Sequence, residues 1–271
     1  MKAFFPSWKW EIGGALLLCF VVAMNLFPSG YIIVGGDVVQ MIHLSENYRN
    51  LFYEWFGRVS LFYFPFYLLD VMGISATAQL SWYLGIFLVS AYVSFLVFAR
   101  LLFPQVRGAL LAFGSLFYAT NIYTLYIFTS TWGFTHYQIL YVFIPVLTGL
   151  YIRSLQSRSW IFSLTFLLTV SFASMSFGNP AFAVSFGMYF ILLTVFLFIF
   201  RFVAWNKRVL WKIVFLGILS IALNAYWMLP VLSQMRVGIE SVGSSTDINL
   251  PESLSKTSNA ILDTLRLVTT Y

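Results

Sequence analysis

Apolar and polar positions alternate along this chain in long blocks, not residue by residue. Apolar runs cover about Gly13–Pro28, Ala76–Phe98, Ala109–Phe128, Gln138–Ile152, Trp160–Phe177, Ala181–Phe200 and Val209–Val231, and short charged stretches separate them. A helix rises 1.5 Å per residue, so about twenty apolar residues match the ~30 Å hydrocarbon layer of a bilayer. The pattern predicts an all-α fold, a polytopic transmembrane helix bundle of about seven spans. The Gln138 run is short and carries Pro145, which predicts an earlier start or a kink. Val59–Leu69 is shorter still, holds Pro65 and is closed by Asp70. We read Val59–Ser75 as an interfacial or re-entrant piece and not as a crossing.

One stretch has a different texture. In Val34–Arg58, Met41, Leu44, Tyr48, Leu51, Phe52 and Trp55 recur at helical spacing, while Gln40, His43, Asn47, Asn50 and Glu54 follow one residue out of phase. An aromatic-rich face opposite a polar one, between two apolar spans, predicts helices lying flat at the membrane surface. The first loop, 29–75, is therefore expected to carry interfacial helices. Asp37 opens the stretch behind Gly35-Gly36, where the backbone can turn sharply. With Gln40 three residues on, it has a structural use as a helix cap.

Composition narrows the class. Hydrophobic residues make up 61% and charged residues 9% of the chain, against about 25% charged in soluble domains. No soluble domain of 271 residues can hide that much apolar surface. Cys19 is the one cysteine, so there is no intramolecular disulfide framework, and no lipoprotein or signal-peptidase site accompanies the first run. The sequence pI is near 9.4, yet the cations sit at helix ends, a topology signal and not a nucleic-acid groove. With the N-terminus cytoplasmic, Lys2, Lys9, Arg100, Arg107, Arg153, Arg158, Arg201, Lys207, Arg208 and Lys212 fall inside, ten of fifteen basic residues. Glu11 is then the one acid inside. A rival topology, with the N-terminus outside and Val59–Asp70 crossing, scores equally on cations. It requires too short a span, and Lys2 and Lys9 before the first run favour an inside start.

This arrangement leaves acid–base chemistry on the outer side. There Asp37, His43, Glu46, Arg49, Glu54, Arg58 and Asp70 meet Trp132, His136, Asn179-Pro180 and the outer end of the last span, with Asn224 and Trp227. The sequence has no phosphate-binding glycine loop, no zinc-spaced Cys/His set and no Gly-x-Ser-x-Gly elbow. Gly36-Asp37 opening a long first outer loop with surface helices, and Asn224-Ala-Tyr-Trp-Met-Leu-Pro230 at an outer helix end, resemble the GT-C class of integral-membrane glycosyltransferases. The arabinofuranosyl- and mannosyltransferase-like members come nearest, mostly in architecture and over about Gly13–Pro230.

The resemblance implies a sugar transfer from a polyprenyl-phosphate donor to a glycan, lipid or protein acceptor at the outer leaflet of the plasma membrane. It maps the catalytic aspartate onto Asp37, as general base. Arg49, Arg58 and His43 are candidates for the donor phosphate, with Gln40 and Asn224 as further binding residues. A divalent metal stays open as a cofactor. Two features depart from that class. The nearest second acid is Glu46, nine residues away, and the chain is short, so Tyr271 is expected to end a fragment, a minimal relative or one subunit. Membrane lipid is an expected partner and nucleic acid is not.

Two other readings compete. A non-catalytic assembly or scaffold subunit would have the same greasy character. A transporter would place charge at mid-bilayer depth, and these span interiors hold almost none. Domain 1–231 is thus expected to be transmembrane. Residues 232–271 form an extracytoplasmic tail or the start of a soluble domain, flexible over Gly238–Ser245.

Overall fold

The computed structural model describes residues 9–25, 67–74, 76–121, 124, 136–174 and 180–244. All regular structure among them is helical: α1 Lys9–Asn25, α2 Ala76–Leu102, α3 Gly108–Thr120, α4 His136–Gln156, α5 Ile161–Ala173, α6 Pro180–Ile199 and α7 Lys207–Ser244. Three stretches are long and apolar enough to cross a membrane, Gly85–Leu102, Gln138–Gln156 and Lys207–Ala225, and they mark the chain as a membrane protein. Gly108–Thr120, Ile161–Ala173 and Ala183–Ile199 are shorter apolar helices. The other expected spans fall on these or run into residues outside the description, as do Val38–Trp55 and residues 59–66. A helical turn at 67–71 closes where Gly73, at φ 79°, lets its own N–H reach Asp70 O and the Ile74 N–H reach Leu69 O. That is the left-handed glycine closure of a helix end.

The chain divides into two units, Met1–Leu223 and Asn224–Tyr271. In the first unit α2 packs on α1, α3 and α4, and α4 packs on α5. One core joins Leu18, Phe87, Tyr92, Leu96 and Leu111, and the other joins Leu147, Tyr151, Phe166, Val170 and Leu216. α4 is the central element: 61% of its span is buried, against 33% in α2 and 22% in α7. It meets α6 through paired hydroxyls, Thr148 with Tyr189 at 2.7 Å and Tyr151 with Thr194 at 2.6 Å. The outer faces of α6 and α7 stay apolar and exposed, as at Val184, Ile191, Val195, Val214 and Ile218. That is the inverse of a soluble bundle and what lipid requires.

α4 begins two residues earlier than the apolar run and contains Pro145 within it. A proline lacks the N–H that would bond the carbonyl four residues back, here Tyr141 O, and its ring displaces the next turn. Neighbouring helices restore both groups. The Tyr118 hydroxyl on α3 donates to Tyr141 O at 2.7 Å, and the Val146 N–H donates to Ser94 Oγ on α2 at 3.2 Å. Proline is tolerated inside membrane helices when such partners exist. Tyr118→Phe should therefore cost about 1–3 kcal/mol, the penalty for a carbonyl left unsatisfied. In a Pro145→Ala background most of that cost should vanish, because residue 145 regains its N–H. Thermal unfolding of the four proteins in detergent measures this coupling, and additive effects would refute it.

α7 differs from the sequence reading. The last span was expected to end near Val231, with a flexible glycine- and serine-rich piece from Gly238, but the helix continues to Ser244. Leu232, Met235, Ile239 and Val242 keep helical spacing through the glycines. A glycine costs a helix only about 1 kcal/mol relative to alanine, so periodicity outweighs it.

Candidate functional site

Hydrogen bonds gather the basic helix ends of the first unit. Near the start of α1, Glu11 is 2% exposed and pairs with Arg100 at the end of α2. The Tyr92 hydroxyl donates to the Glu11 backbone carbonyl at 2.8 Å. Two glycines permit this approach. A Cβ on Gly14 would come within 2.6 Å of the Tyr92 hydroxyl, and one on Gly108 within 2.8 and 2.9 Å of the two Glu11 carboxylate oxygens. Gly108 is the first residue of α3, whose N-cap, Arg107, makes no side-chain capping bond. The carboxylate thus lies against the positive end of a helix dipole. Its Oε2 accepts no hydrogen bond among the described residues.

The same end continues along α4. Arg153 Nε donates to Leu101 O, and Ser154 and Ser163 share a 2.6 Å hydroxyl contact from α4 to α5. Lys212 is 1% exposed, and its ammonium donates to Ser154 O at 2.8 Å, Ser157 O at 2.9 Å and Ser159 O at 3.3 Å. All three of its N–H groups are used, on Ser154 O in the last turn of α4 and on two carbonyls of the turn that follows it. The Trp160 ring lies 5.1 Å away, within cation–π range. A buried lysine with no carboxylate partner among the described residues here serves to cap the end of α4. Beside it, Gln156, Phe202, Ala204, Asn206, Arg208 and Val209 help line a cavity of about 360 Å³.

The opposite end of the bundle is aromatic and polar. Tyr118 and Tyr141 stack with centroids 4.4 Å apart, flanked by Phe95 and Phe87 of α2. The carbonyl of Tyr118, one of the orphans at the end of α3, accepts from the Tyr141 hydroxyl at 2.6 Å, Asn121 Nδ2 at 2.8 Å and Thr124 Oγ1 at 3.0 Å. Asn121 Oδ1 takes the Thr124 N–H at 3.0 Å. These groups answer one another and fix how the helices end.

Of the residues singled out in the sequence, Asn224 lies on α7, buried at 3% exposure, where the second unit begins. Asp37, Gln40, His43, Arg49 and Arg58 lie outside the described residues. Among the described residues no three His, Cys, Asp or Glu side chains converge as a metal site. Sequence reasoning missed the partners of Glu11 and the burial of Lys212. The available signal for Glu11 was a single acid among ten cations on one side. No family model, curated protein or solved structure matches the chain.

Proposed function

We propose that the chain is the membrane-embedded part of a glycosyltransferase of the GT-C kind. It moves a sugar from a polyprenyl-phosphate donor to an acceptor at the membrane face opposite its basic end, with Asp37 as general base. The observation that supports this reading is the direction of α1. Glu11 is held among the basic helix ends, and the seventeen-residue helix leads about 25 Å away to Asn25. The segment that leads on to Asp37 therefore follows the end of α1 remote from Glu11. Under the positive-inside rule the basic end is cytoplasmic, α1 to α7 become seven crossings, and the loop meets the outer leaflet. His43, Arg49 and Arg58 are then the residues for the donor phosphate at headgroup level, with Gln40 and Asn224 as further substrate-binding residues. The donor already leaves as a phosphate, so one carboxylate suffices to deprotonate the acceptor hydroxyl.

A scaffold subunit is the second reading. It is favoured by one observation: the buried polar groups at both ends are engaged in tying helices together, as Lys212 and Tyr118 are. Purified full-length chain incubated with radiolabelled polyprenyl-phosphate sugars and membrane acceptors separates the two. Label transfer supports the enzyme, and its absence across pentose and hexose donors supports the scaffold. The surface-helix assignment has its own check. Cysteines placed singly from Val38 to Trp55 should alternate, at helical period, between reactive and unreactive toward an impermeant thiol reagent. Uniform reactivity would mean a free loop.

A further inference from the structure

The cavity beside Lys212 opens between the end of α4 and the turn from α6 to α7. Its volume, about 360 Å³, falls in the range of small-ligand sites. Its polar lining is donor-rich. Arg208 uses one N–H on Ser157 O at 2.7 Å, leaving four of its five uncommitted among the described residues. Asn206 caps α7 by accepting the Val209 N–H at 3.0 Å, while its amide nitrogen and that of Gln156 make only long contacts, 3.3 and 3.4 Å, to backbone carbonyls.

Charge sets the ligand class. Arg153, Arg158, Arg201, Lys207, Arg208 and Lys212 surround these two turns, and the sequence holds no Asp or Glu between Asp70 and Glu240. Glu11 is already paired with Arg100. Among the described residues no carboxylate lies beside these cations, which makes an anion the fitting ligand. A guanidinium fork with flanking amides suits phosphate oxygens.

The surroundings set the source. Phe202 lines the cavity and is exposed, Trp205 in the same turn is exposed, and so are Trp160 and Trp211 on the neighbouring turn and on α7, the aromatic signature of the membrane interface. The Phe202 ring stacks toward Phe196 on the exposed apolar face of α6, with centroids 6.1 Å apart. An acyl chain leaving the cavity would meet that face directly. We propose that this cavity binds the phosphate headgroup of an anionic membrane lipid. The inference does not depend on the glycosyltransferase reading, since it uses none of the first loop.

The test is native mass spectrometry of the full chain released from phosphatidylcholine micelles containing a minor share of phosphatidylglycerol. Wild type should retain phosphatidylglycerol in preference to phosphatidylcholine. Arg208→Gln should lower that retention on the order of tenfold, the value of a charge-assisted hydrogen bond. Ala204→Phe fills the cavity without removing a charge or a side-chain hydrogen bond, and should do the same even if Arg208→Gln disturbs the turn. Equal retention by wild type and both variants, or no preference for phosphatidylglycerol in wild type, overturns the proposal. Displacement of the lipid by millimolar inorganic phosphate, with equal thermal protection, would assign the site to a soluble anion and also overturn it.

Discussion

Asp37→Asn is expected to leave the protein folded and to cut sugar transfer on the order of a hundredfold or more. Asparagine has nearly the size of aspartate and caps a helix about as well, so a purely structural Asp37 predicts near-normal transfer. The alanine variant separates the roles again. A cap predicts a loss of roughly 1 kcal/mol of stability for Asp37→Ala, and a general base predicts a folded but inactive protein. The decisive comparison is turnover per folded molecule, with folding checked by thermal unfolding in detergent. Full transfer by well-folded Asp37→Asn would remove the carboxylate from the mechanism. It would leave the lipid cavity untouched, because the two sit in different parts of the chain.

The largest stability effect is expected at Glu11 and Arg100. Breaking a buried ion pair from one side strands the other charge and typically costs about 3–5 kcal/mol. Glu11→Leu and Arg100→Met should each fall in that range, since Glu11 is almost wholly enclosed and its pairing crosses from α1 to α2. The double variant should recover most of the loss, because two apolar side chains need neither solvation nor each other's charge. If both singles melt like wild type, the pair is an ornament of the helix ends. If the double is as weak as the singles, the space around Gly108 and Tyr92 requires the charged groups themselves.

The helices were legible because apolar block length is a strong local signal. α2 starts at Ala76, and α6 starts at Pro180, one residue before its apolar run. Proline at a first helical position forfeits an N–H that would be unpaired anyway. What the sequence could not specify were contacts between distant residues. Pro145 announces a missing hydrogen bond, but nothing near it says that Tyr118 and Ser94 supply the repair. Glu11 stands out as an isolated acid, yet any of six arginines at the basic helix ends (Arg100, Arg107, Arg153, Arg158, Arg201, Arg208) could have met it. Lys212 reads as one more topology charge, and its burial follows only from where α4 happens to end. The continuation of α7 was misjudged because glycine and serine composition was weighed above the apolar spacing of Leu232 to Val242. Of the candidate site residues, Asn224 is the one among the described residues, and it is buried on α7. The Asp37 constellation rests on sequence pattern alone.

The acid-free turns also have an electrical consequence. Moving one elementary charge through a potential of about 100 mV takes about 2.3 kcal/mol. The turn between α6 and α7 carries Arg201, Lys207 and Arg208, with Lys212 one helical turn further on, and no carboxylate among the described residues offsets them. Dragging that hairpin across an energised membrane against the field would take about 9 kcal/mol before any cost of dehydration. In the proposed topology, in which α6 and α7 both cross, the hairpin would work as a ratchet. Once it has settled on the side the field favours, the membrane voltage itself keeps it from inverting.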